Sequence, residues 1–180
     1  VMFRKELSAS VKERSVPQTW QDWVGPARVS VAVPLEKQLD RGRLYCFLPM
    51  GKEAVAPFLG YIDANFYTPI DRRRIHEDCR LNKFFIERAA WVCRHAIDFL
   101  AASGSSWAPR AVVDLLCWSE AGAAELIRKQ FGTPPGAFGG ASVAPIRTRD
   151  GGQAWAPLSR ALLWIDDRSC LTANRLVDAA

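Results

Sequence analysis

The sequence predicts an α+β fold: a small, mostly antiparallel sheet covered by one long amphipathic helix, followed by a helix-rich C-terminal subdomain. Three observations predict it. Residues 29–33 alternate as a half-buried strand does, and residues 43–48 give a second strand. Between residues 78 and 100 the apolar side chains recur every three or four positions, the period of a helix with one buried face. Beyond Trp107, residues that start and stop helices bracket short apolar blocks. A chain of 180 residues suffices for one ordinary domain or a domain with an appended subdomain, and the expected division is 1–105 and 106–180.

Taken in order, residues 1–14 read as a frayed helix or as a strand taken from its normal partner. Trp20 and Trp23 follow Pro17 and fall on one side of a helical turn, which suits them to pin this segment to a core. Residues 29–33 are the first strand and 43–48 the second, expected to pair antiparallel across a polar connection. Residues 58–68 supply a third, in which Gly60 permits a bend or a close backbone approach. The long helix carries Leu81, Phe84, Phe85, Ala89, Cys93 and Phe99 in its stripe, with Asp78 placed to cap it and to complement its dipole. Pro109 suits the first position of a short helix containing Val112, Leu115 and Trp118, and residues 120–131 form another, stopped by Gly132 and Pro134. A hairpin is expected around Asp150, Gly151 and Gly152, while residues 158–164 fit helix or strand equally.

Composition narrows the function classes. Hydrophobic content of 49% and aromatic content of 11% exclude general disorder. No apolar run approaches the ~18 residues that cross a bilayer, and nothing near the start resembles a cleaved leader. The expectation is a cytoplasmic chain that engages no membrane. Cys46, Cys79, Cys93, Cys117 and Cys170 form no Cys-x-x-Cys pair, which argues for reduced core thiols rather than a zinc knuckle or disulfide frame. His76 lies three residues from Cys79, but such a pair without an orienting third group is a weak catalytic case. The net charge of +5 admits a polyanionic partner. Arg28, Arg41, Arg43, Arg80, Lys83, Arg88 and Arg94 would join Arg72 to Arg74 in one basic concavity if the strand ends meet the start of the long helix.

The densest chemistry lies where a strand-like run ends in Arg72, Arg73 and Arg74. Each guanidinium is permanently charged and offers a planar fork that matches phosphate oxygens. Taken alone, three arginines are more often a solvated turn. Their neighbours change the balance: Leu44 to Pro49, the Pro57 and Phe58 pair, Asp63 to Phe66, and Asp71 with the arginines resemble the sacsin and NO VEIN type of GHKL ATPase over residues 28–85. The resemblance implies a transducer-like region just after a nucleotide-binding domain, comparable to the middle domain of the ninety-kilodalton heat-shock chaperone. It also implies that an arginine here approaches the terminal phosphate of ATP. Arg72, Arg73 and Arg74 hold the matching positions and Arg73 is the first choice. Arg74 stands where the family more usually has an acidic or small residue, which leaves open which of the three faces the phosphate.

A GHKL site needs an acidic base and a magnesium-holding Asn on one helix, an Asp-x-Gly-x-Gly motif and a Gly-rich lid, and the sequence contains none of these. Asp150 with Gly151 and Gly152 comes nearest and reads as a hairpin turn; Gly136, Gly139 and Gly140 lack the Lys-Ser or Lys-Thr of a phosphate loop and read as a loop. The expectation is therefore a non-catalytic middle segment of a longer, chaperone-like ATPase. ATP and magnesium would be held by a domain outside this chain. Its partners would be the N-terminal nucleotide-binding domain of the parent protein and a client protein or nucleic acid, and the resemblance further implies bacterial antiviral defence. The alternative is a basic nucleic-acid-binding module that uses the same arginines and stacks bases on exposed Trp or Phe.

Overall fold

The structure, a computed structural model, describes residues 4–12, 16–22, 25–35, 39–103, 108–119, 121–130, 142–157, 161–163 and 176–178. Helices α1 (Arg4–Val11) and α2 (Gln18–Gln21) lead the chain. The Pro17 carbonyl accepts the N–H groups of Trp20 and Gln21, opening α2. Trp20 packs against the core and meets Tyr67 edge-on, 5.6 Å between ring centroids. Trp23 lies outside the described residues.

Four strands form the first sheet: β1 (Val29–Ala32), β2 (Arg43–Cys46), β3 (Leu48–Pro49) and β4 (Tyr61–Ala64). Their order is β1-β4-β2-β3. The expected antiparallel pairing of the first two strands is not found, because β4 inserts between them. It runs antiparallel to β1, with Val29 facing Ala64, and parallel to β2, with Arg43 facing Tyr61. β3 returns antiparallel along β2, so the sheet is mixed. Burial explains the order. Ile62 and Ala64 of β4 and Leu44 and Cys46 of β2 are buried, whereas no residue of β1 is, and the strands with the drier faces take the centre. The third strand is shorter than the run from Phe58 to Thr68, and Gly60 makes a close approach: a Cβ there would lie 2.6 Å from the Ala32 carbonyl oxygen.

Helix α3 (Arg80–Ser103) is the long helix, 24 residues. Leu81, Phe85, Ala89, Cys93 and Ile97 are fully buried at four-residue spacing. They share one cluster with Leu44, Phe58, Ile62 and Phe66, and Phe66 meets Phe85 edge-on at 5.8 Å. Cys79, not Asp78, holds the cap position, since its carbonyl accepts the Lys83 N–H at 3.0 Å. Asp78 stays exposed, 3.8 Å from the Lys83 ammonium. Phe99 is exposed because it falls two positions from the line through Cys93 and Ile97.

Helices α4 (Ala108–Leu116) and α5 (Ala121–Lys129) join the same cluster through Val112, Leu115 and Ile127. Trp118 stacks on Phe58 at 5.6 Å, and Ser119 donates its N–H and hydroxyl to the Pro57 carbonyl at 2.6 and 3.0 Å. A second sheet follows, β5 (Ser142–Arg147), β6 (Gln153–Pro157), β7 (Ala161–Leu163) and β8 (Leu176–Asp178), in the order β6-β5-β8-β7. Again a parallel pair, β5 with β8, is flanked by antiparallel ones. The hairpin at Asp150 is the β5–β6 turn. The rest corrects the expectation of a helix-rich end: Ala161 to Leu163 form a strand, and β8 completes a sheet whose three-residue strands are too short to show any period. Residues 136–140, with their three glycines, and Cys170 lie outside the described residues. No helix among those described is long and apolar enough to cross a membrane.

Candidate functional site

The three arginines sit on a corner built from two chain segments in close contact. Gly51 donates its N–H to the Arg72 carbonyl at 2.9 Å, and a Cβ on Gly51 would come within 2.6 Å of the Arg73 Cα. Only a residue without a side chain lets the segments approach so closely. The turn itself is closed by the Arg72 N–H on the Pro69 carbonyl at 3.0 Å and by the Arg73 N–H on Asp71 Oδ1 at 3.1 Å, an aspartate-stabilised turn.

Arg72 adopts a left-handed backbone, φ 54°, and its guanidinium reaches across to the β2–β3 reversal. There it donates to the carbonyls of Cys46 and Leu48, the latter at 3.4 Å. Those carbonyls flank Phe47, the single residue between the paired Cys46 and Leu48, itself left-handed with φ 62°. The Phe47 N–H is held by Asp63 Oδ1 at 3.2 Å. A left-handed non-glycine residue costs about 1–2 kcal/mol, so two of them persist here because the Arg72 strap and the Gly51 contact over-determine the backbone.

Arg73 takes a different role. Its Nη2 lies 2.5 Å from Glu53 Oε1, and that hydrogen bond holds the Glu53 carboxyl below the usual carboxylate range while raising Arg73. With the arginine side chain 66% exposed, the pair contributes little to stability and can exchange partners readily. Arg74 is exposed and makes no hydrogen bond or ion pair with any described residue. Three adjacent residues of one type are thus a strap, a loosely paired cation and an open cation. Nothing local separates them, because the partners that do so lie about 20 residues earlier in the chain, and two of these partners are backbone carbonyls.

Of the four helix cations expected in the basic concavity, Arg80 is exposed and the other three have neighbours of their own. Arg94 pairs with Asp98 at 2.8 Å, Lys83 lies near Asp78, and the Arg88 guanidinium sits 5.4 Å from the centre of the Phe84 ring. What joins the corner to α3 is a residue that sequence reasoning passed over. Asn82, 1% exposed, accepts the Tyr67 N–H at 2.8 Å and donates to the carbonyls of Tyr67 and His76 at 2.8 and 2.9 Å. It clamps the segment before and after the arginines to the first turn of the helix. Equally unforeseen is the exposed apolar trio around Arg72: Phe47 at 78%, Leu48 and Ile70. Leaving one such side chain in water forgoes about 2 kcal/mol of burial.

Thiol chemistry finds no support. The His76 ring stacks on Tyr67, 4.7 Å between centroids, and Cys79 is buried. Burial raises the thiols of Cys46 and Cys117 and pushes Cys93 up to about 12, so these stay protonated and poorly nucleophilic at neutral pH. Among the described residues no group of three or more His, Cys, Asp or Glu side chains could hold a metal ion. No family model matches the chain, and no curated protein and no solved structure was found to be similar to it.

Proposed function

We propose that this chain is the transducer-like middle segment of a chaperone-like GHKL ATPase, with residues 1–105 as the transducing unit and 106–180 as its appended subdomain. The observation that carries the proposal is the division of labour at the corner. Arg72 and Gly51 immobilise the backbone, and Arg74 and the exchangeable Arg73 are presented to solvent on it. ATP and magnesium belong to a neighbouring nucleotide-binding domain. When that domain brings a terminal phosphate to the corner, Arg74 meets it first, and Arg73 trades Glu53 for phosphate oxygens at little cost. These charge-assisted bonds exist with ATP and vanish after hydrolysis. The Asn82 clamp passes the displacement to the start of α3, which covers the sheet and shares its buried cluster, so that nucleotide state biases the helix between two orientations. A client-handling role in bacterial antiviral defence follows from the family resemblance.

A nucleic-acid module draws less support. Glu53 and Asp71 lie beside the arginines, one guanidinium is consumed by carbonyls, and on the long helix Lys83 and Arg94 lie beside carboxylates. The test is turnover of the intact parent protein. Arg74→Ala is expected to lower ATP hydrolysis by at least about 10-fold, a modest fraction of what a phosphate-facing arginine supplies in other phosphoryl transfers. Wild-type turnover in that variant overturns the proposal.

A further inference from the structure

The turn packed against the arginine corner carries charges of its own. Residues 51–54 close through the Ala54 N–H on the Gly51 carbonyl at 3.0 Å, which puts Lys52 and Glu53 side by side at an exposed tip. Gly51 fixes that tip to the corner, through its N–H on the Arg72 carbonyl and its close approach to the Arg73 Cα. Arg41 comes from a third segment: the strand it leads into is tied to the same turn by the Leu44 N–H on the Ala54 carbonyl at 3.0 Å. The Arg41 guanidinium adds to the larger effect of the Arg73 hydrogen bond in holding the Glu53 carboxyl below its usual range. Arg41, Lys52 and Arg74 are exposed, and their side chains make no hydrogen bond or ion pair with any described residue. Three chain segments thus bring Arg41, Lys52 and Arg73 around one carboxylate, with Arg74 next in the chain, and of these cations Arg73 is the one bonded to it.

Glu53 marks where an anion rests on this surface. An ion pair so exposed holds its partners weakly, yet its carboxylate is tethered beside Arg73 and never diffuses away, so an incoming anion must bring more than the carboxylate does. Orthophosphate brings little more charge than the group it displaces. A condensed phosphate chain brings several charges on one molecule, with oxygens enough to meet more than one of the cations at once. Extended polyanions fit less well. A nucleic-acid strand spreads its charge at one per nucleotide and an anionic bilayer presents its charge over a plane, so either would lie across the exposed Asp40, Glu53 and Asp71 as well as the cations. We infer that Arg41, Lys52, Arg73 and Arg74 form one site for a triphosphate chain, the tail of a nucleotide or free tripolyphosphate, and that Glu53 is its resident counter-anion, which keeps orthophosphate out. The inference rests on the phosphate reading proposed above; it adds Arg41 and Lys52 to the site and gives Glu53 the task of rejecting the orthophosphate that hydrolysis releases.

Chemical labelling of the intact parent protein tests it at the residues themselves, with phenylglyoxal at Arg41 and sulfo-NHS acetate at Lys52, each read by mass spectrometry. Saturating tripolyphosphate or a non-hydrolysable ATP analogue should slow both reactions about 10-fold, and orthophosphate at the same concentration less than about 2-fold. Glu53→Gln keeps the turn and loses the charge, so orthophosphate should half-protect Arg41 and Lys52 at an about 5-fold lower concentration, the worth of one exposed ion pair. Lys52→Gln should raise the tripolyphosphate concentration that half-protects Arg41 by about 5-fold; an unchanged value would mean that Arg41 is merely covered, and overturns the inference. If Arg74→Ala lowers turnover while neither Arg41 nor Lys52 is protected, the terminal-phosphate reading stands and the inference is overturned. Protection by tripolyphosphate together with wild-type turnover in Arg74→Ala supports the site and overturns the nucleotide reading, and no protection with wild-type turnover overturns both. Equal protection by orthophosphate and tripolyphosphate in the unaltered protein, or stronger protection by a single-stranded oligonucleotide or by phosphatidylserine vesicles, also overturns the inference.

Discussion

The corner at residues 69–74 and the hairpin turn at residues 148–152 both reverse the chain around an aspartate, and each contains a residue with positive φ. In the corner, Asp71 accepts the Arg73 N–H and Arg72 takes the left-handed position at 54°. In the hairpin, Asp150 accepts the Gly152 N–H at 3.3 Å and the Thr148 hydroxyl, and Gly151 takes the left-handed position at 86°. The hairpin is self-contained, its bonds running between residues 148 and 152. The corner leans on Cys46, Leu48, Gly51 and Glu53, all distant in sequence. A turn whose only task is to return the chain uses glycine and local hydrogen bonds. One that keeps an arginine in a disfavoured conformation depends on the remote groups that hold it there.

If the corner owes its form to the Arg72 strap, removing that side chain should cost more than any change in the hairpin. Arg72→Ala loses two charge-assisted hydrogen bonds and keeps the backbone strain, and should destabilise the protein by about 2–3 kcal/mol in urea denaturation. Arg72→Gly, relieved of the strain, should cost about 1 kcal/mol less. Equal losses for both would show that the strain is not real. In the hairpin, Gly151→Ala places a Cβ in open space, so its cost is conformational alone, about 1 kcal/mol; no loss would mean that the turn relaxes freely. The gentlest contrast is in acid. The Thr148 hydroxyl, then the Gly152 N–H, hold the Asp150 carboxyl below its ordinary range. A depressed native value contributes stability that is present above the unfolded pKa and lost as pH falls through the native one, a window lying below about pH 4. Asp150→Asn should therefore flatten a small part of the acid limb of a melting-temperature profile and leave the corner untouched.

The same division decides what the residues announce in advance. Asp150, Gly151 and Gly152 carry their own turn chemistry, and the hairpin could be read from them. Leu81 to Ile97 repeat at helical spacing over many turns, and α3 could be read to within a few residues. Strand order could not, because which of β1 and β4 lies central depends on relative burial across a sheet, and alternation within a strand says nothing of its neighbour. β8 was invisible for its shortness. At the corner, the presence of three arginines was plain, but their separate tasks depend on carbonyls of Cys46 and Leu48 and on Glu53, which no spacing rule connects to residue 72. Asn82 and Phe47 were missed for a related reason. An Asn on a helix and a Phe in a strand-like run look ordinary until the backbone around them is known.

The central place of β4 has a consequence for how the chain is made. During synthesis from the N-terminus, β1 and β2 emerge well before the strand that lies between them, and until Ala64 has left the ribosome each shows an unpaired edge toward the gap that β4 will fill. The last of these strands to be translated is the keystone, and the arginine corner, which follows it within ten residues and leans back on β2 and β3, can take shape only after that keystone is set.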